Sequence, residues 1–222
     1  MTLEGPSNLH GSELASRLRL IVIADEGATA GRALDQVVEA ALRGGTPAVQ
    51  LRLKGVPTGR VLKVARRLHR LTARHGTLFF INDRVDVALA AGADGAHLGP
   101  DDPPIGAMRR IVPPDFLLGY STDDPDEARR AVRDGADYIG CGTVFATTTK
   151  KDAGTPIGLE GLDRVASAVQ VPVVGIGGID RERARAVAGT RAAGVAVVGA
   201  VIGAQDPGAA VQGLLAPFRS RR

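Results

Sequence analysis

Eight short runs of apolar, mostly branched residues recur along the 222-residue chain, with helix-like segments between them. They lie at 20–24, 48–51, 78–81, 95–98, 117–120, 138–141, 171–176 and 195–198. Each is bounded by Gly, Pro or Asp, the punctuation of buried strands. No other feature restricts the fold as much. Strands that alternate with helices form a parallel sheet, because each helix carries the chain back to the same end. Eight units leave about 28 residues apiece, enough for a strand, a turn, a helix and a return turn. That count selects the α/β class and a single-domain (β/α)8 TIM barrel over residues 17–222, behind a short polar N-terminal extension, residues 1–16. An open doubly wound sheet is the alternative, because the first and fourth runs are the weakest.

The intervening segments carry helix signals. Val61, Ala65, Leu68 and Leu71 share one face, while Arg60, Lys63, Arg67, Arg70 and Arg74 fall elsewhere, as on an outer helix with a solvated side. Asp124-Pro125-Asp126-Glu127 combines an N-cap aspartate, a first-turn proline and a glutamate at the third position, and Gly135 stands just past that helix. A phrase such as Ala-Gly-Ala-Asp-Gly-Ala-His or Asp-Gly-Ala-Asp-Tyr-Ile-Gly joins helix to strand repeatedly. It echoes a βα unit and is not a solenoid repeat.

Composition excludes several classes. Only 3% of residues are aromatic and none is tryptophan, so the core consists of Val, Ile, Leu and Ala, which suits buried parallel strands. Cys141 is the single cysteine, which excludes an internal disulfide framework and a multi-cysteine metal site. Its place at a strand end reads as a small buried apolar side chain. The first residues lack the basic start and apolar run of a signal peptide, and no apolar stretch is long enough to span a membrane. A cytoplasmic location is expected. The net charge of +4 suits anionic small molecules. The arginine-rich segment at 60–74 lacks interleaved aromatics, so nucleic acid is not an expected partner. The terminal Arg219-Ser220-Arg221-Arg222 reads as a frayed end.

Barrel enzymes carry their chemistry at the C-terminal strand ends. After the second run, alternation puts Gln50, Arg52 and Lys54 on one side, with two cations over one space. Asn82 and Asp83 follow the third run, His97 and Asp102 the fourth, and Ser121 closes the fifth. A polar loop, Thr147-Thr148-Thr149-Lys150-Lys151-Asp152, follows the sixth, and its lack of apolar anchors suits mobility. Gly177-Gly178 and Val198-Gly199 close the last two, where backbone amides approach phosphate in many barrels. Arg52, Lys54 and Lys150 form a second cationic cluster, and Asp83 and Asp102 are hard oxygen ligands suited to Mg²⁺. Two anion sites with carboxylates point to metal-assisted displacement of diphosphate, and no Ser/His/Asp-type nucleophile pair is visible. Plainer readings exist: Asp83 as a helix cap, Asp101 as a solvated or capping residue, and His97 as a satisfied histidine in the barrel mouth.

Taken together, Gln50-Leu51-Arg52-Leu53-Lys54, Asn82-Asp83, His97-Leu98-Gly99 with Asp102, Ser121, Thr147 to Lys151 and Gly175-Ile176-Gly177-Gly178-Ile179 resemble the thiamine-phosphate synthase family over nearly the whole chain. The resemblance implies coupling of hydroxymethylpyrimidine diphosphate with thiazole phosphate to give thiamine monophosphate and diphosphate. It implies that Gln50, Arg52 and Lys54 contact the pyrimidine diphosphate, with Asn82 beside its leaving group. Asp83 and Asp102 would hold Mg²⁺, Ser121 would lie near the pyrimidine, and Lys150 would grip the diphosphate. Thr147, Thr149, Gly178 and the backbone of Val198 and Gly199 would take the thiazole phosphate. The implied mechanism is dissociative, which needs cations and metal at the leaving group and no general base.

Four positions depart from the family pattern. Pro100 stands for a usual glutamine, Asp123 for a common histidine, Gly199 for a frequent serine and Ala146 for a common proline. A thiazole tautomerase-like paralogue depends on a histidine after the fifth strand, where this chain has Thr122 and Asp123. A non-catalytic phosphate-binding barrel is the other alternative. Expected partners are phosphorylated small molecules, and a homodimer is compatible with the chain.

Overall fold

The structure, a computed structural model, describes residues 9, 11–147 and 154–219. Its strands are β1 (Leu20–Ala24), β2 (Ala48–Leu51), β3 (Leu78–Asn82), β4 (Gly95–Leu98), β5 (Leu117–Ser121), β6 (Tyr138–Cys141), β7 (Val173–Ile176) and β8 (Gly194–Val197). They pair in parallel in chain order, and β8 returns to β1 to close a (β/α)8 TIM barrel. Every expected run is a strand, with ends within two residues of the sequence reading. The largest shift is at β7, which starts at Val173 because Pro172 has no N–H for the ladder. The Pro172 carbonyl still accepts from Ile139 N at 2.9 Å.

Helix α1 (Gly11–Arg17) precedes the barrel. The outer ring is α2 (Leu34–Arg43), α3 (Thr58–Arg74), α4 (Val85–Ala91), α5 (Ile105–Arg109), α6 (Pro125–Arg133), α7 (Gly158–Ala168) and α8 (Arg181–Val187). After β8 come the one-turn α9 (Gly199–Ile202) and then α10 (Pro207–Leu215). The expected signals operate as read. Asp124 Oδ1 accepts from the amides of Asp126 and Glu127 at 2.7 and 3.0 Å, and Gly135 takes φ +106° past the end of α6. In α3, Val61, Ala65 and Leu68 are buried and Leu71 is partly buried.

Alternation along the strands sorts the apolar residues into two cores. Val22, Val49, Leu51, Phe79, Ile81 and Ile139 point outward and pack under the helices. Ile21, Ile23, Ala48, Leu78, Phe80, Leu117, Tyr138, Val174 and Ala196 fill the barrel. Leu9, Leu14 and Leu18 join this inner set, so α1 plugs the barrel's lower, N-terminal end. The segment read as a polar lead-in therefore has a packing role: α1 holds a single leucine, Leu14, and it is only 2% exposed.

The recurring Ala-Asp phrase has its cause at the same end. Asp94 Oδ2 accepts from Phe79 N, and Asp137 Oδ2 accepts from Leu118 N, each at 2.7 Å. The two aspartates thus satisfy amides where β3 and β5 begin. Arg109 in turn pairs with Asp137 at 2.5 Å.

Candidate active site

From the lower to the upper end, the inward positions turn polar. Ile21 and Ile23 lead to Asp25, Ala48 leads to Gln50, Leu78 and Phe80 lead to Asn82, and Leu117 leads to Ser121. Parity alone sends these side chains to the upper mouth, because each continues an inward series in steps of two residues, in β5 by way of Gly119. A cavity of ≈ 250 Å³ lies beside these groups, between the ends of β2 and β3 and helix α3, lined by Leu51, Lys54, Val61, Ile81, Asn82 and Asp83 among others. Two roomier hollows, ≈ 470 and 1050 Å³, are lined by helix and turn residues with no strand residue, away from these groups.

Gln50 is buried and donates through Nε2 to Asn82 Oδ1 at 2.9 Å. Arg52 pairs with Asp25 at 3.0 Å, and Lys54 pairs with Asp83 at 3.4 Å. Alternation alone places both cations over one space. In the structure each leans to a carboxylate on a different side of β2, Asp25 after β1 and Asp83 after β3. Such partly exposed pairs contribute at most about 1 kcal/mol, so a phosphate can displace the carboxylate at low cost. Asp25 is missed when strand ends are read from β2 onward. The signal that finds it is the Ile21, Ile23, Asp25 parity.

Asp83 does not cap α4, whose N-cap is Arg84 with no side-chain cap bond. Its amide donates to the His97 carbonyl at 2.8 Å, and its backbone takes φ +65°, a left-handed conformation that among the described non-glycine residues only Ala30 shares. Strain of this kind is held in place by surrounding structure and clusters at functional sites. Asp102 Oδ2 accepts from Gly99 N at 2.7 Å. Burial, and then the neighbouring Asp83 carboxylate, hold the Asp102 carboxyl above its ordinary range, while the Gly99 amide opposes them. Asp101 lies exposed beside it.

His97 is satisfied on both nitrogens, with Nε2 at 2.7 Å from Ser121 Oγ and Nδ1 at 3.0 Å from the Tyr138 hydroxyl. Burial pushes its imidazole down to about 4, against the attraction of Asp83, so the ring is neutral near pH 7. The plainer reading of His97 as a satisfied histidine describes these contacts, and Tyr138 is a partner that strand-end reading misses. The end of β5 is braced from outside the barrel: Glu127 accepts from Tyr120 at 2.9 Å and from Thr122 at 2.5 Å. Burial, followed by Glu127, pushes the Tyr120 hydroxyl up to about 12.

On the far side of the mouth, the loops after β6 and β7 are zipped together. Val144 N donates to Ile176 O at 2.8 Å and Phe145 N to Gly177 O at 3.1 Å. Gly177 and Gly178 have φ +103° and +61°, and a Cβ on Gly178 would collide with the Ala146 carbonyl. Arg183 donates to the Gly178 carbonyl at 2.6 Å and lies 5.1 Å from the Phe145 ring centroid. Val198 caps α9 and Gly199 opens it, where first-turn amides lack intrahelical partners. Thr147 begins the following loop. Thr149 and Lys150, with the rest of 148–153, lie outside the described residues. Cys141 is buried, and burial pushes its thiol up to about 12, which leaves it a packing residue.

A family model described as thiamine monophosphate synthase matches residues 20–201. The chain belongs to the thiamine monophosphate synthase family. A thiamine-phosphate synthase from Moorella thermoacetica is 47% identical over 184 residues, which is 83% of this chain and 88% of that protein. One from Chloroflexus aurantiacus is 48% identical over 198 residues, 89% of this chain and 91% of its own. Among solved structures, a thiamine phosphate pyrophosphorylase from Pyrococcus furiosus superposes with TM-score 0.84 at 41% identity, covering 92% of this chain and 97% of that one. A 3-hexulose-6-phosphate synthase, at TM-score 0.65 and 19% identity, shares the fold alone. No helix among the described residues is long and apolar enough to cross a membrane.

Proposed function

We infer that this chain is a thiamine-phosphate synthase, a transferase of thiamine biosynthesis that joins hydroxymethylpyrimidine diphosphate to thiazole phosphate and releases diphosphate. The observation that carries the role assignment is the polar upper ring of the barrel, where Arg52 and Lys54 rest on carboxylates beside the Asp83–Asp102 pair.

In this reading Arg52 and Lys54 exchange those carboxylates for the substrate's diphosphate, and Lys150 joins them from the loop after β6. Gln50 and Asn82, already hydrogen-bonded to each other, border the leaving group. Ser121 faces the pyrimidine. Thr147, Thr149, and the backbone at Gly178, Val198 and Gly199 receive the thiazole phosphate. The donor set at Asp83 and Asp102 suits Mg²⁺, because two hard carboxylate oxygens share one field. Asp83 and Asp102 would hold the ion, which when bound supplies positive charge to the departing diphosphate.

The chain's cations favour departure of diphosphate by stabilising charge that grows as the C–O bond breaks. The resulting pyrimidine-stabilised cation is captured by the thiazole nitrogen, held close by its phosphate. A neutral, fully hydrogen-bonded His97 is no obstacle, because the sequence of steps requires no general base. We place the reaction in the cytoplasm, where phosphorylated intermediates are retained.

The test is to incubate purified protein with Mg²⁺ and both substrates. Thiamine monophosphate and diphosphate should appear in equal amounts. Tight thiazole-phosphate binding without product would mark a non-catalytic barrel, and isomerisation of the thiazole alone would mark a tautomerase.

A further inference from the structure

Tyr138 opens β6 inside the barrel, only 1% exposed, with its hydroxyl at 3.0 Å from His97 Nδ1. On the other side of the ring, His97 Nε2 lies 2.7 Å from Ser121 Oγ. Three side chains from β6, β4 and β5 therefore form one hydrogen-bonded line that ends at the mouth. Two glycines make room for it. A Cβ on Gly119 would overlap both the phenol and the imidazole, and one on Gly140 would press on His97 Cε1 at 2.9 Å.

The direction of the line follows from its buried end. A phenol sealed in an apolar core keeps its proton and needs an acceptor. Among the described residues that acceptor is His97 Nδ1. A neutral imidazole accepts at one nitrogen and donates at the other, so Nε2 carries the proton and gives it to Ser121 Oγ. An oxygen that already accepts from the ring has its own proton left to give. Ser121 is half-buried at the upper end of β5, on the inward face.

We propose that Tyr138 is a positioning residue that, through the His97 tautomer, fixes Ser121 as a hydrogen-bond donor toward the barrel mouth. The ligand group that matches it is a lone pair on a ring nitrogen, and a ligand offering an N–H at that point is rejected. Only this last step rests on the mouth being the pyrimidine site. The direction of the line does not.

Imidazole ¹⁵N NMR of the whole protein reads the tautomer without any substrate, with His97 assigned by its loss in His97→Gln. The wild type should show protonated Nε2 and unprotonated Nδ1. Tyr138→Phe keeps the ring and should shift His97 to a mixture of tautomers or to the Nδ1–H form. In the thiamine-forming assay, Tyr138→Phe should lower kcat/KM about tenfold, and should have no further effect in a Ser121→Ala background. A wild-type Nδ1–H tautomer, an unchanged His97 spectrum in Tyr138→Phe, or full additivity with Ser121→Ala would each overturn the proposal. If Tyr138→Phe does not fold, the wild-type spectrum decides. If the protein forms no thiamine phosphate, the spectra still decide the relay, so failure of the two readings is distinguishable.

Discussion

At the lower end of the barrel, Asp94 and Asp137 direct their carboxylates to the amides of Phe79 and Leu118, under a plug of Leu9, Leu14 and Leu18. At the upper end, Asp25 and Asp83 pair with the side-chain cations Arg52 and Lys54, and Asp102 sits in the field of Asp83 while accepting from Gly99 N. The same residue type thus does two jobs. Backbone amides are fixed partners that complete the barrel, and no solute can replace them. Side-chain cations are exchangeable partners, and carboxylates crowded together are unfavourable until a cation arrives. One end is closed by backbone and apolar contacts and the other gathers charged side chains, the division a barrel makes when it separates stability from function by face.

The difference can be broken from either side. Arg52→Ala should give the largest effect, lowering kcat/KM for the diphosphate substrate roughly 10²–10³-fold, as for loss of a group that stabilises leaving-group charge. Its thermal midpoint should move little, since the Asp25 pair is partly exposed. Leu14→Ala reverses the pattern. Removing a buried leucine from the lower plug should destabilise the fold by about 3 kcal/mol in denaturant unfolding, while kcat/KM of the folded protein stays within about twofold. A Leu14 variant that loses activity while keeping its stability would dissolve the distinction between the ends.

How much of this was legible in the sequence follows the same division. The eight strands could be read because a strand buried on both faces is a continuous apolar run, and that signal is local. The α6 cap was legible for the same reason, since Asp124, Pro125 and Glu127 are neighbours. Helix α1 was obscured because one leucine in seven residues carries its burial. At the site, the residue types were visible but their partners were not. Asp25 meets Arg52 because β1 and β2 pair, and Tyr138 meets His97 across Gly119 of the intervening β5, contacts that no local sequence signal announces. Asp83 reads in the sequence as a metal ligand or a helix cap, and the cap reading falls because α4 has no side-chain cap bond and Asp83 pairs with Lys54 at positive φ.

The upper carboxylates are expected to serve binding at some cost to the fold, and Asp102→Asn separates the two effects. The amide oxygen can still accept from Gly99 N, so the change removes charge and little else. Because burial and Asp83 raise the Asp102 carboxyl above its unfolded value, its ionisation disfavours the fold as pH rises past the ordinary carboxylate range, and not below it. The measurement is the thermal midpoint of wild type and variant across pH without Mg²⁺, alongside turnover with Mg²⁺. The variant's midpoint should equal or exceed wild type near pH 7, the difference should close below about pH 4, and turnover should fall sharply. A variant with a lower midpoint at pH 7 and undiminished Mg²⁺-dependent turnover would contradict this expectation.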